Sequence, residues 1–170
     1  CLTGILMFVR IKRIKGQDYG YLVGSVWTNK GPRQKVTKYL GKIIRGVPTK
    51  SETLEEFVKK PAEQFVQEKE YADIVKQLVA LTLHHHDLVD TDIDFAQHTV
   101  KRKGRNCVLA MNEGFLCGET LRQLFSYNSD DDYSGFVLAD RITATGIKIE
   151  KDVFIALFGK LQKKVEQQKA

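Results

Sequence analysis

Between Phe8 and Leu40 three short apolar and basic runs alternate with turn-forming clusters, and this pattern constrains the fold more than any other part of the chain. Phe8 to Lys15 (FVRIKRIK) is rich in β-branched residues, and Gly16-Gln17-Asp18 supplies a turn. Tyr19 to Trp27 (YGYLVGSVW) reads as a second strand, with Tyr19, Tyr21, Val23 and Trp27 on one face and Leu22 and Val26 on the other. Asn29-Lys30-Gly31-Pro32 is a second turn. Arg33 to Leu40 (RQKVTKYL) alternates again, with Arg33, Lys35, Thr37 and Tyr39 on one side, Val36 and Leu40 on the other, and Gly41 as punctuation. The expectation is an antiparallel three-stranded meander with one packing face and one cationic face. Such a ribbon is marginal alone and must lean on a larger body.

The rest of the chain supplies that body. Ser/Thr-x-x-Glu pairs at Thr49–Glu52 and Thr53–Glu56 are helix-start signals. Leu54, Phe57, Val58, Phe65 and Val66 follow at helical spacing, with Pro61 either breaking that segment or starting a second helix. Tyr71, Ile74, Val75, Leu78 and Val79 continue the pattern toward Leu83. The period then changes to two, and strands Ile93–Val100 and Cys107–Met111 flank a basic tip from Lys101 to Asn106. Glu113 to Tyr127 and Phe136 to Ile142 read as helices, residues 128–132 as a loop. A final amphipathic helix runs from Glu150 with Val153, Phe154, Leu157, Phe158, Leu161 and Val165 inward. The predicted class is α+β: a basic β-meander over residues 7–47 joined to a mixed helix and β-hairpin body over 51–170 that ends in a long amphipathic helix. Residues 1–6 read as an extension before a start at Met7 or an added piece of strand, since neither a basic leader nor a cleavage site frames them.

Charge gives the first functional indication. Residues 1–50 hold eleven Lys or Arg (Arg10, Lys12, Arg13, Lys15, Lys30, Arg33, Lys35, Lys38, Lys42, Arg45 and Lys50) against the single Asp18, a net +10. The whole chain carries +6, so the remainder is net −4. A basic head on a mildly acidic body is the asymmetry of a polyanion binder. An antiparallel ribbon of this kind fits the major groove of B-DNA. The predicted contacts are Arg10, Lys12, Arg13, Lys15, Lys30, Arg33, Lys35, Lys38, Tyr39 and Lys42, with Lys101, Arg102, Lys103 and Arg105 at the hairpin tip as a second contact. Tyr19, Tyr21 and Tyr39 suit either base stacking or packing, and Trp27 is assigned to the core.

Other chemistries find weaker patterns. His84, His85 and His86 precede Asp87, Asp90, Asp92, Asp94 and His98, ligand types suited to Zn, Mn or Fe. Adjacent helical residues point about 100° apart, so three consecutive histidines do not converge on one ion. His84, His86, Asp92 and Asp94 are the candidates for a metal-dependent nuclease or hydrolase, with Asp130–Asp132 a second acidic cluster, and helix-terminal histidines beside an acidic loop are the simpler account. Cys107 and Cys117 carry no partner at zinc spacing and read as small buried hydrophobes. Three cysteines make no disulfide framework, which favours a reducing, cytoplasmic setting. No apolar run approaches a membrane span, and no cofactor motif is present.

The segment Tyr19-Gly20-Tyr21-Leu22-Val23, followed by Arg33-Gln34-Lys35-Val36-Thr37-Lys38-Tyr39-Leu40-Gly41, resembles the amino-terminal module of DDE-type insertion-sequence transposases. The resemblance spans Phe8 to Gly41, about a fifth of the chain. It implies a DNA-associated module from mobile elements. No inserted catalytic domain and no trio of spaced carboxylates accompanies it here, so transposase activity is not carried over. The function expected is non-enzymatic binding of nucleic acid, duplex DNA first, with homodimerisation through the last helix doubling the basic surface. The alternatives are the metal-dependent hydrolase above and an RNA- or ribosome-associated protein.

Overall fold

The alternation from Met7 onward resolves into three antiparallel strands in the computed structural model, which describes residues 7–127 and 135–169. These are β1 (Met7–Ile14), β2 (Gln17–Thr28) and β3 (Gly31–Arg45). The first turn is Lys15-Gly16 rather than Gly16–Asp18. Both residues are left-handed (φ 49° and 78°), the two-residue geometry whose twist matches the flanking strands, and Gln17 and Asp18 join β2. Gly41 does not end the third strand. At φ 120° it carries β3 past Asn106, whose carbonyl oxygen would lie 2.3 Å from any Cβ at this position. Only glycine fits that crossing.

The pairing of β2 with β3 also departs from simple alternation. Gly20 faces Gly41, Tyr21 faces Tyr39, Leu22 faces Lys38 and Val23 faces Val36, so Leu40 and Thr37 are extra residues on β3. Each such bulge shifts the alternation by one. Arg33, Lys35, Thr37 and Tyr39 therefore do not share a side. Lys38, Lys35 and Arg33 sit opposite Leu22, Gly24 and Val26 on one face, and Tyr39 joins Tyr21 on the other.

Beyond β3 the chain builds the body. Helix α1 (Leu54–Val58) starts at a capping box in which Glu56 N–H donates to Thr53 Oγ1 (3.2 Å) and Thr53 N–H donates to Glu56 Oε2 (2.8 Å). Pro61 starts a second helix, α2 (Ala62–Glu68), and α3 (Tyr71–His85) follows. The expected strand Ile93–Val100 is in fact two, β4 (Asp92–Asp94) and β5 (Thr99–Arg102). Asp94 Oδ1 accepts from the N–H groups of Ala96 and Gln97, both at 2.9 Å, and folds the chain back between them. Lys103 and Gly104 (φ 51° and 73°) make the tight turn into β6 (Arg105–Met111). The helix expected from Glu113 is half strand: Asn112 reverses the chain at φ 51°, and β7 (Gly114–Leu116) pairs with β6 before α4 (Gly118–Phe125) begins. Helices α5 (Gly135–Ala144) and α6 (Lys151–Lys169) complete the α+β fold. The expectations for residues 1–6 and 128–132 lie outside the described residues.

The sheet order is β1-β2-β3-β6-β5-β4, with β7 also on β6. All pairings are antiparallel except β3 with β6, where Lys42 through Arg45 run parallel to Cys107 through Ala110. This join makes meander and body one sheet. The main core lies on the face of Val100, Cys107, Leu109 and Leu116, under the helices that bring Ile74, Leu78, Leu121, Leu138 and Leu157. A smaller cluster of Leu22, Leu40, Ile43, Val108 and Cys117 fills the opposite face. Burial at that scale stabilises by about 25 cal/mol for each Å² of apolar surface removed from water. The far end of the meander is not covered this way, and Met7, Phe8, Val26, Trp27 and Val36 stay exposed. The expectation of a core position for Trp27 fails: it is 78% exposed, because neither core cluster extends over that end of the ribbon.

Candidate nucleic-acid interface

The parallel join of β3 to β6 places the β5–β6 hairpin beside the base of the meander. Between them lies a groove of about 1050 Å³ whose walls include Tyr19, Tyr39, Lys42, Arg102, Lys103 and Arg105. Pairing register sets the side chains of this face. Arg10 faces Tyr21, Lys12 faces Tyr19, Tyr19 faces Lys42, and Arg102 faces Arg105, so these residues project to the tyrosine side of the sheet. The rings of Tyr19 and Tyr21 stand 6.2 and 5.3 Å from that of Tyr39, tilted rather than stacked. Tyr39 remains 54% exposed. Partial burial raises its phenol pKa above the ordinary value, and the neighbouring Tyr19 and Tyr21 raise it further, so the hydroxyl stays protonated at neutral pH.

The two faces treat their cations differently. On the side opposite the tyrosines, Asp18 takes Arg45 at 2.9 Å and Arg13 at 3.4 Å, and Glu119 at the start of α4 takes Lys38 at 2.8 Å and Arg122 at 3.0 Å. Those charges are largely answered within the molecule. On the groove side Lys12, Lys42, Lys103 and Arg105 make no ion pair with any described residue, and Arg10 bonds only the neutral Gln34 Oε1 at 3.2 Å. Arg102 is the exception, anchored on Asp90. Of the sequence-predicted contacts, the fold thus gathers Arg10, Lys12, Tyr39, Lys42, Arg102, Lys103 and Arg105. Arg13 and Lys38 are tied up on the reverse face, and Arg33 and Lys35 lie on that side near the far end. Lys15 and Lys30 occupy the two meander turns, and Lys101 pairs with Asn106 on the hairpin's other side.

Glu119 gives a test of this division of charge. Burial raises its carboxyl pKa, but hydrogen bonds from Lys38 and Arg122 outweigh that effect and leave it below the ordinary carboxylate value. A depressed folded-state pKa contributes stability above the unfolded pKa, and that stability is lost as pH falls through the folded value. Glu119→Gln is expected to lower the urea midpoint at pH 7 by the equivalent of about 1 kcal/mol or less, since Lys38 is more than half exposed. The gap should close only as the pH falls through that lowered folded-state value, once wild-type Glu119 is protonated too.

The histidines do not form a metal site with one another. His84 Nε2 meets Glu52 Oε1 at 3.2 Å, His85 Nε2 meets the Glu52 carbonyl at 2.7 Å, and buried His86 turns Nδ1 back to the Thr82 carbonyl at 2.9 Å. Asp94 is spent on its turn, and among the described residues no group of three metal-ligating side chains converges. Asp130–Asp132 lie outside the described residues. Cys107 and Cys117 are buried free thiols, and burial pushes Cys107 up to about 11. Among the described residues no helix is long and apolar enough to cross a membrane.

Sequence reasoning named the tip cations but not their nearness to the tyrosines, which depends on a strand pairing more than sixty residues apart in the chain. Comparison with protein-family models, curated proteins and solved structures finds no match to this chain.

Proposed function

We propose that the chain is a nucleic-acid-binding protein whose ligand is duplex DNA, held at the groove between meander and hairpin. The observation that carries this reading is the segregation of charge at the base of the meander: unpaired Arg10, Lys12, Lys42, Lys103 and Arg105 gather on the tyrosine side, and Arg13, Lys38 and Arg45 on the reverse side there are matched by Asp18 and Glu119. A polyanion is the ligand that such a face can neutralise over several contacts at once. Lysine and arginine on phosphates position the duplex, and the tyrosines add apolar contact with sugars and bases. The resemblance of residues 8–41 to a mobile-element module points the same way.

Six cations on that face (Arg10, Lys12, Lys42, Arg102, Lys103 and Arg105) correspond to a salt slope of roughly −5 for B-DNA. Anisotropy titration of a labelled duplex is therefore expected to show a loss of about 10³-fold in affinity between 50 and 200 mM salt. No binding at 50 mM, or an affinity indifferent to salt, overturns the reading. A second reading, single-stranded nucleic acid or RNA, rests on the exposed tyrosine cluster, since every base has a face on which a phenol ring stacks. Competition of duplex, single strand and structured RNA against one labelled probe separates the two.

A further inference from the structure

We propose that the turn end of the β2–β3 ribbon is a wedge, with Trp27 inserting between base pairs of the bound duplex and bending it. The inference rests on the reading that the groove face binds duplex DNA, and it adds a second contact of a different kind. Past Gly24 the described ribbon is two-stranded, Ser25 to Thr28 paired with Gly31 to Gln34. The indole there belongs to neither core cluster of the described residues: Trp27 is 78% exposed, and its cross-strand neighbour is Pro32. The two form an apolar pair on the same face as Tyr21 and Tyr39. The turn beneath them is held by hydrogen bonds instead of packing, with Thr28 Oγ1 donating to the Gly31 carbonyl (2.9 Å) and accepting from Lys30 N–H (3.3 Å). The wedge is thus presented on an ordered support.

The surroundings select the occupant. Lys30 lies in the turn next to the indole, and Arg33 and Lys35 project from the other face of the same ribbon end, all three exposed and without an ion pair to any described residue. A second copy of this chain would bring like charges together, whereas a duplex offers phosphates to the cations and a base step to the indole. Apolar side chains that enter base steps this way bend DNA by about 20–90°. Tyr19 and Trp27 are eight residues apart on β2, about 26 Å at 3.3 Å per residue. That is roughly eight base pairs, so one duplex of modest length reaches both the groove and the wedge.

Trp27 is the only tryptophan in the chain, so intrinsic emission reports on this residue alone. The full chain is titrated with a 30-base-pair duplex at 50 mM salt, following tryptophan emission, acrylamide quenching and end-to-end energy transfer across the duplex. The expected result is emission quenched by half or more, protection from acrylamide and a bend of tens of degrees. Trp27→Ala, at a position too exposed to unfold the protein, should keep the salt slope and lose no more than about tenfold in affinity while the bend disappears. Salt-dependent binding with unchanged emission and a straight duplex overturns the wedge and leaves the groove reading standing. Absence of salt-dependent binding overturns the groove reading itself. Vesicles of phosphatidylcholine and phosphatidylglycerol are the third arm: a blue shift there, with emission indifferent to DNA, assigns the tip to a lipid surface and also overturns the wedge.

Discussion

Replacing Lys42, Lys103 and Arg105 together with glutamine is expected to weaken duplex binding by about 10²–10³-fold at 0.1 M salt and to flatten the salt slope by nearly three. Each phosphate contact in B-DNA contributes close to 0.9 to that slope, which near 0.1 M amounts to about eightfold per contact. These three side chains line the groove, are exposed and have no ion-pair partner among the described residues, so their loss removes nothing the fold uses. The matched control is Arg13 and Arg45, whose charges already sit on Asp18. Neutralising that pair removes the same kind of charge from the opposite face and should cost less than tenfold. Equal losses per charge removed, measured by anisotropy at four salt concentrations, would mean that overall charge and not the groove governs binding. Charge reversal at Lys38 is a poor probe, because a glutamate there would face Glu119 and destabilise the protein directly.

Gly114→Ala is expected to be severely damaging to folding, at about 4 kcal/mol or enough to prevent a cooperative transition. A Cβ at this position would lie 2.1 Å from the Thr143 carbonyl oxygen and 2.2 Å from the backbone nitrogen of Gly146, and neither is a side chain that can swing aside. The site is where β7 presses against the turn that links α5 to α6. Gly146 completes the contact at φ 80°, with Met111 O only 2.4 Å from its own virtual Cβ. Backbone meets backbone there because β6, β7 and the helical layer must close over Leu109, Leu116 and Ile142. Gly159 makes the contrast. It lies within α6 with nothing within 4 Å of an added Cβ, so Gly159→Ala should stabilise by about 0.5–1 kcal/mol through helix propensity. Urea unfolding followed by circular dichroism measures both, and a Gly114→Ala protein as stable as wild type would refute the packing argument.

Local signals fix several elements. The three strands of the meander, the Thr53–Glu56 cap, the basic β-hairpin and the last helix each carry their signal within a few residues, through alternation, turn chemistry or helical spacing. Other positions are set by remote partners. Leu116 has the apolar spacing of a helix, yet it belongs to a strand because Leu109 lies opposite it across β6 and β7. Tyr39 follows Arg33, Lys35 and Thr37 in perfect alternation, yet two bulges move it to the other face, and bulges are set by how β3 must bend to reach β6. Trp27 looks like core by composition, yet neither core cluster reaches its end of the ribbon, and it stands in solvent.

The amino-acid order by itself determined which residues are charged, where the chain turns and that the head of the molecule is basic, since these depend on near neighbours and on counting. The tertiary structure decided which of those charges remain available. Arg13, Lys38 and Arg45 meet acids brought in across the reverse face, and Lys42 meets Arg102, Lys103 and Arg105 only because β3 and β6 run side by side. Charge neutralisation acts over a few ångströms, and distances of that order between remote residues are a property of the packed sheet.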